Sequence, residues 1–372
     1  MPATRRSLVV LALLITWHAV GPGFAPANEF PEDTNTIESL SPEQARRLVT
    51  EFRGVRVVVE RKGRPKGMLA PCLPLNGLKS VDADLAEALA GYHKGPLFLD
   101  GLTMLSVEAA KALAQHRGVL SLSGLTTLSD DASKALAEHE GVLLLDGLTT
   151  LSAEAARMFE QRGDDFLCLP GLTTLSEEAA RALAQHKGVL LALDGLTTLS
   201  DKAAAALGQH DGILSLSGLT TLSDEVAKAL EQHKGELVLN GLTTLSVEAA
   251  KSLAQHRGTL RLDGLTTLSA DAAKAIAAAE HWTGYLPCVT TLDSPDSVVI
   301  AQALATRHGP LSLPNLKKLS RKTLSALFEK VDIEIPRIKR LEFIPEPDGS
   351  DTDQFVIPEG FLNEWPGIAG DD

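Results

Sequence analysis

Gly118-Val119-Leu120-Ser121-Leu122-Ser123-Gly124-Leu125-Thr126-Thr127-Leu128-Ser129-Asp130-Asp131-Ala132-Ser133-Lys134-Ala135-Leu136-Ala137-Glu138-His139 is one copy of a unit that the chain keeps rewriting. Its central glycine returns as Gly77, Gly101, Gly124, Gly147, Gly171, Gly195, Gly218, Gly241 and Gly264, at intervals of 24, 23, 23, 24, 24, 23, 23 and 23 residues. A fixed period of this length marks a solenoid, in which each repeat touches only its neighbours.

The local reading follows from side-chain chemistry. Leu120-Ser121-Leu122 alternates with period two and predicts a short strand with its leucines inward. Gly124 predicts a turn or a close approach of backbone, where a Cβ is costly. Leu125 and Leu128 return to the core. Ser129 is placed to cap a helix by accepting from its first free amides. Asp130 and Asp131 suit the helix dipole in the first turn. Ala132, Ala135, Leu136 and His139 fall at i, i+3, i+4 and i+7, one helix face. Gly141 is expected to end the helix as a left-handed residue.

One strand and one helix per ~23 residues cannot enclose a core. About four leucines per copy are worth ~1.5–3 kcal/mol apiece only when neighbouring copies cover them. Stacking is compulsory. It aligns the strands into a parallel sheet on one face and the helices on the other.

The ends depart from the pattern. Residues 28–35 read as a polar linker. Ile37-Glu38-Ser39-Leu40-Ser41-Pro42-Glu43-Gln44-Ala45 is a degenerate first copy, with Pro42 at the first helical position. Val55-Arg56-Val57-Val58-Val59-Glu60 reads as a strand, and residues 61–71 as a loop. Residues 36–72 thus form an N-terminal cap. Beyond residue 280 the copies decay: Cys288 and then Asn315 take the glycine position. Ile333-Glu334-Ile335 is a last strand. Residues 342–372 are acidic, rich in Pro and Gly, and read as a disordered tail.

This pattern resembles the leucine-rich repeat family, in the ~23-residue variant form of secreted bacterial proteins, over roughly residues 36–341. The family's usual Asn after the strand is absent; Leu125 and its equivalents stand there. Its bonding role falls either to the Thr126-Thr127 pair or to the residue before the glycine. The resemblance implies an α/β solenoid, a horseshoe or arc of about 11–12 coils, used mainly for protein recognition.

Residues 1–27 read as a secretory signal peptide. Arg5 and Arg6 precede an apolar run at residues 8–20, too short to span a bilayer comfortably. Ala25-Pro26-Ala27 supplies the small residues of a cleavage site. Thr4-Arg5-Arg6-Ser7-Leu8-Val9 also resembles part of a twin-arginine signal. The expected location is therefore the periplasm, the cell envelope or the exterior. The expected domains are the signal at 1–27, a linker and cap at 28–72, the solenoid at 73–341 and the tail at 342–372.

The chain carries a formal charge of −13, with 35 Lys+Arg against 48 Asp+Glu, and both basic residues of the signal lie outside the mature part. Such a surface repels phosphate backbones and anionic membrane surfaces. No membrane span is expected in the mature chain. Cys72, Cys168 and Cys288 lie four and five copies apart. At ~4.8 Å per coil those pairs stand roughly 20 Å or more apart, whereas a disulfide needs Cα atoms ~4.4–6.8 Å apart.

Three rows invite a functional reading. His116, His139, His186, His210, His233 and His256 share one register, at the end of the helix. There an imidazole bonds a free carbonyl, and a straight row does not converge on a metal. Asp100, Asp146, Asp194 and Asp263, with Asn76 and Asn240, precede the glycine; they suit either calcium or the amides of the turn. The third row lies between the two strand leucines: Pro74, Phe98, Ser121, Leu144, Cys168, Ala192, Ser215, Val238, Arg261, Tyr285, Ser312 and Glu334. It accepts almost any residue, and alternation aims it at the open sheet face.

Phe98, Ser121, Leu144, Ala192, Ser215, Val238, Arg261 and Tyr285 are the candidate partner-binding residues. No nucleophile elbow, P-loop, dinucleotide fingerprint or zinc-protease helix is present in the sequence. No cofactor, metal or catalytic residue is assigned. The expected function is an exported, non-enzymatic protein-binding or scaffold protein, recognising a protein or cell-envelope component. The alternative is a structural or adhesive envelope spacer.

Overall fold

The computed structural model describes residues 30–31, 33–52, 58–61, 64–68, 71–162, 166–330 and 332–346. The expected signal peptide and residues 347–372 of the expected tail lie outside the described residues. Short strands and helices alternate along the chain, and among the described residues there are twelve α-helices. No helix among them is long and apolar enough to cross a membrane.

The strands pair in parallel, in the register of the repeat. Leu120 stands beside Leu97 and Leu143, and Leu214 beside Leu191 and Leu237. Each helix packs on the next along the opposite side. Leu120, Leu122, Leu125 and Leu136 of one coil are all 0% exposed. They join a single hydrophobic cluster that runs from Ile37 to Leu341.

Helix starts follow the sequence reading. Ser129 Oγ accepts from Ala132 N at 3.2 Å. Ser106, Ser152, Ser176, Ser200, Ser223, Ser246 and Ser269 cap their helices alike. Each cap satisfies one amide that the helix leaves free.

The helix ends differ from expectation. The helix Asp130–Ala137 closes at Glu138 in the right-handed region, with φ −77° and ψ −8°. Gly141 has no positive φ; among the described glycines only Gly118, Gly284 and Gly309 do. Its constraint is contact between coils. A Cβ on Gly141 would lie 1.8 Å from the carbonyl oxygen of Gly118, one coil back. The central glycine obeys the same rule, for a Cβ on Gly124 would lie 2.0 Å from Asp100 O.

The stack is disturbed at two places, and only at the second is that glycine lost. The strands form one sheet from Leu73–Pro74 to Leu143–Leu144 and another from Phe166–Cys168 to Leu260–Arg261. After Leu260–Arg261 the copied frame would set residue 284 beside Leu260; Trp282 stands there instead. The following coil carries Cys288 in place of the glycine. One coil later, Asn315 Nδ2 donates to Pro287 O at 2.9 Å. A hydrogen bond thus replaces the contact that a missing Cβ makes elsewhere.

Both ends carry more structure than the sequence suggested. Arg64–Met68, inside the expected loop, is a strand antiparallel to Val58–Arg61; residues 55–57 of the expected strand lie outside the described residues. Thr34 and Asn35, assigned to the linker, are already part of the stack. Thr34 Oγ1 donates to Pro74 O, and Asn35 O lies where a Cβ on Gly77 would fall. At the other end, Thr291–Leu292, Lys318–Ser320 and Glu342–Ile344 form a further, three-stranded parallel sheet. The first residues of the expected tail are therefore a paired strand, because Glu342 N finds Lys317 O at 2.7 Å.

The two kinds of glycine are separable by mutation. Gly124→Ala should cost about 1–3 kcal/mol by overpacking. Gly91 sits at a helix end with φ −66°, and a Cβ there would meet its nearest atom at an ordinary 3.4 Å. Gly91→Ala should stay within about 1 kcal/mol of the parent. Urea unfolding of both variants checks this; equal effects would contradict the contact reading.

Candidate functional site: the open sheet face

The row between the strand leucines is continuous over two stretches. Pro74, Phe98, Ser121 and Leu144 lie side by side, as do Cys168, Ala192, Ser215, Val238 and Arg261. Tyr285 does not continue this row. It bridges Ser312, while Trp282 bridges Leu260.

Exposure divides the eight candidates. Ser121, Ala192, Ser215 and Val238 are buried, small side chains closed over by adjacent coils. Phe98, Leu144 and Arg261 are half-buried and Tyr285 is exposed. The expectation that alternation exposes the whole row is thus corrected: on a parallel ladder, short side chains are covered by longer lateral neighbours.

Two of the buried residues have structural partners. Ser121 Oγ donates to Asp100 Oδ1 at 2.5 Å, and Ser123 N donates to the same oxygen at 3.0 Å. Ser215 Oγ and Ser217 N repeat the pair on Asp194 Oδ1, at 2.6 and 2.8 Å. Asn76 Oδ1 accepts from Asp100 N at 2.8 Å, and Asn240 Oδ1 from Asp263 N at 3.0 Å. Both of the alternatives for the missing asparagine are realised. The residue before the glycine binds the next coil's amide. The threonines add rungs of their own, as Thr149 Oγ1 donates to Thr126 O at 3.2 Å.

Sequence reasoning passed over a neighbouring row on the same face. Alternation puts the residue before the first strand leucine beside the candidate row: Val119, Val142, Phe166, Leu190, Ile213 and Glu236. Val142 is 55% exposed and Phe166 is 51% exposed. Half-buried Leu144 and exposed Cys168 lie beside them. The signal was available, since a phenylalanine stands where other copies carry smaller aliphatic residues. Burial and the nearby carboxylates of Asp146 and Asp194 raise the Cys168 thiol above its ordinary pKa. Buried Cys72 and exposed Cys168 and Cys288 form no disulfide with one another.

No family model and no curated protein matches the chain. Among solved structures it is similar to a leucine-rich-repeat protein of Leptospira interrogans, at 18% identity over 81% of this chain and 88% of that one, with a TM-score of 0.34. It is also similar to a chain of the Toll–Spatzle complex of Drosophila, at 14% identity over 64% of this chain and 35% of that one, with a TM-score of 0.40. Overlap at these scores is slight, and the parallel register and alternating coils of the chain itself decide the architecture. The chain is a leucine-rich-repeat-like α/β solenoid.

In this solenoid the histidine row is one stretch of a longer ladder. His139 Nε2 donates to Gly118 O at 3.0 Å and His256 Nε2 to Gly235 O at 3.1 Å. The rings stack on their neighbours at 5.8–6.2 Å between centroids. Other donors fill the same position in other coils. Tyr92 Oη donates to Pro71 O at 3.0 Å. Arg162 reaches Leu136 O and Gly141 O at 3.0 and 2.7 Å. Arg307 donates to Trp282 O, and Lys330 Nζ to Arg307 O at 2.7 Å. Among the described residues no group of His, Cys, Asp and Glu side chains is placed to hold a metal ion.

Burial holds the imidazoles of His116, His139, His210, His233 and His256 below their ordinary pKa. The unfolded chain, titrating near 6.5, then binds protons more readily than the folded one. Their contribution is complete above pH ~6.5. It is lost as the pH falls toward the depressed folded values. Each histidine that stays neutral in the fold and is protonated when unfolded steepens the fall by about 1.4 kcal/mol per pH unit. Urea midpoints between pH 8 and pH 5 should therefore drop steeply. His210→Gln should remove one such increment; an unchanged slope would contradict this account.

Proposed function

We propose that the solenoid is an exported, non-enzymatic binding or scaffold protein that recognises a protein or cell-envelope component through its open sheet face. The observation that carries this reading is the apolar surface of Val142, Leu144 and Phe166, set among coils whose equivalent residues are mostly covered. An exposed apolar patch on a polar surface is the usual mark of an interaction site. Aromatic residues are enriched at the centre of such sites. The recurring polar residues support a binding role over a catalytic one. The serines cap helices, His139 and His256 bond carbonyls, and Asp100 and Asp194 hold amides. Export rests on the signal at residues 1–27.

A second reading is favoured by one observation. The face over Ala192, Ser215 and Val238 is closed and small, as suits a spacer without a discrete partner. Retention from cell-envelope extract on the immobilised mature chain separates the two. A binding protein should retain one saturable component, lost at least tenfold in Leu144→Asp/Phe166→Asp and kept in Met104→Ser, whose residue is 80% exposed in the Thr-Thr segment. Retention that no face variant alters would favour the spacer.

A further inference from the structure

Two of the Asx residues before the glycine hold no group of the following coil: Asp263, whose carboxylate is taken by Arg261 of its own coil, and Asp146. Asp100 and Asp194 each hold a serine hydroxyl and a backbone amide of the following coil. Asp146 occupies the same row, and its coil abuts the next in the same way: a Cβ on Gly171 would lie 2.2 Å from Asp146 O. That next coil offers Cys168 in place of the serine and Pro170 in place of the residue that donates its N–H. Proline has no N–H to give, and a thiol is a weak donor. Among the described residues nothing donates to the Asp146 carboxylate; burial and the charge of Asp100 push its pKa up.

This unmatched carboxylate borders the apolar surface. Val142 and Leu144 precede it in its own coil, and Phe166 and Cys168 belong to the next. The residue as a whole is exposed, so an incoming group can reach it. Among the described residues the face offers it no cation of its own. Arg261 lies five coils on and is paired with Asp263 at 2.5 Å. A carboxylate that is partly desolvated and unpaired is stabilised by a cation brought from outside.

We propose that the patch formed by Val142, Leu144, Phe166 and Asp146 docks a partner segment that presents an apolar side chain beside a lysine or arginine. The apolar group covers Phe166 and Leu144, and the cation pairs with Asp146. This rests on the open face being the binding surface and adds the chemistry of its occupant. Residues 347–372 do not fit that chemistry, because they contain seven acidic residues and no lysine or arginine. A net charge of −13 also disfavours a second copy.

Three fluorescein-labelled octapeptides, alternating Leu with Lys, Ser or Glu, test the proposal by anisotropy with the full mature chain. The Lys-Leu peptide should bind best. Asp146→Asn should weaken it at least tenfold without lowering the unfolding midpoint, since the Asp146 carboxylate accepts no hydrogen bond in the fold and its charge there is opposed by burial and Asp100. Leu144→Ser/Phe166→Ser should abolish binding, and Met104→Ser should leave it unchanged. Asp146→Lys should transfer preference to the Glu-Leu peptide.

Equal binding by parent and Asp146→Asn, with loss in Leu144→Ser/Phe166→Ser, would overturn the cationic occupant and spare the face. Binding that no face variant alters, or no binding by any peptide, would overturn the proposal; the former would also count against the face itself. Self-association in sedimentation, broken by Asp146→Asn, would assign the patch to a second copy and overturn a foreign partner.

Discussion

Neighbouring coils are held at the spacing of hydrogen-bonded strands, ~4.8 Å, and everything else in the molecule accommodates that distance. The sheet sets it. Bulk must vanish wherever backbone crosses backbone, and so Gly124 and Gly141 face carbonyl oxygens at distances no Cβ tolerates. Buried carbonyls between coils need donors, and Tyr92, His139, Arg162 and Lys330 supply them in their coils. Leucines supply the apolar area, but the polar and steric contacts decide which residues the period must keep.

Much of this was legible in the sequence because it is periodic. Leu120 and Leu122 announce a strand and Ser129 a helix start, and each does what its chemistry suggests. What escaped notice depended on the neighbouring coil. Gly141 looks like a helix terminator within its own copy, and only Gly118 one turn back shows it to be a contact residue. Tyr92, Arg162, Arg307 and Lys330 keep the spacing of the histidine row without its identity. They share with histidine only a donor at the right height, a property that letter-by-letter comparison overlooks.

The candidate site was half visible for the same reason. Alternation gave the correct face for Ser121 and Val238, but not their burial, which depends on side chains in adjacent strands. Phe166 lay one row away from the residues singled out. The shift at Trp282, which separates Tyr285 from Arg261, follows a decay of the repeat that the sequence shows without revealing its geometric result. Asp146 could be recognised as unmatched only once Pro170 and Cys168 were known to face it.

The ladder of buried donors also gives the stack a polarity. Tyr92, His139, Arg162, His256, Arg307 and Lys330 each reach back to a carbonyl in an earlier coil. A rod built this way has unlike ends. One presents side-chain donors without a preceding coil, and the other presents carbonyls that no later coil claims. Such a lattice continues only head to tail, the geometry that grows open filaments rather than closed dimers.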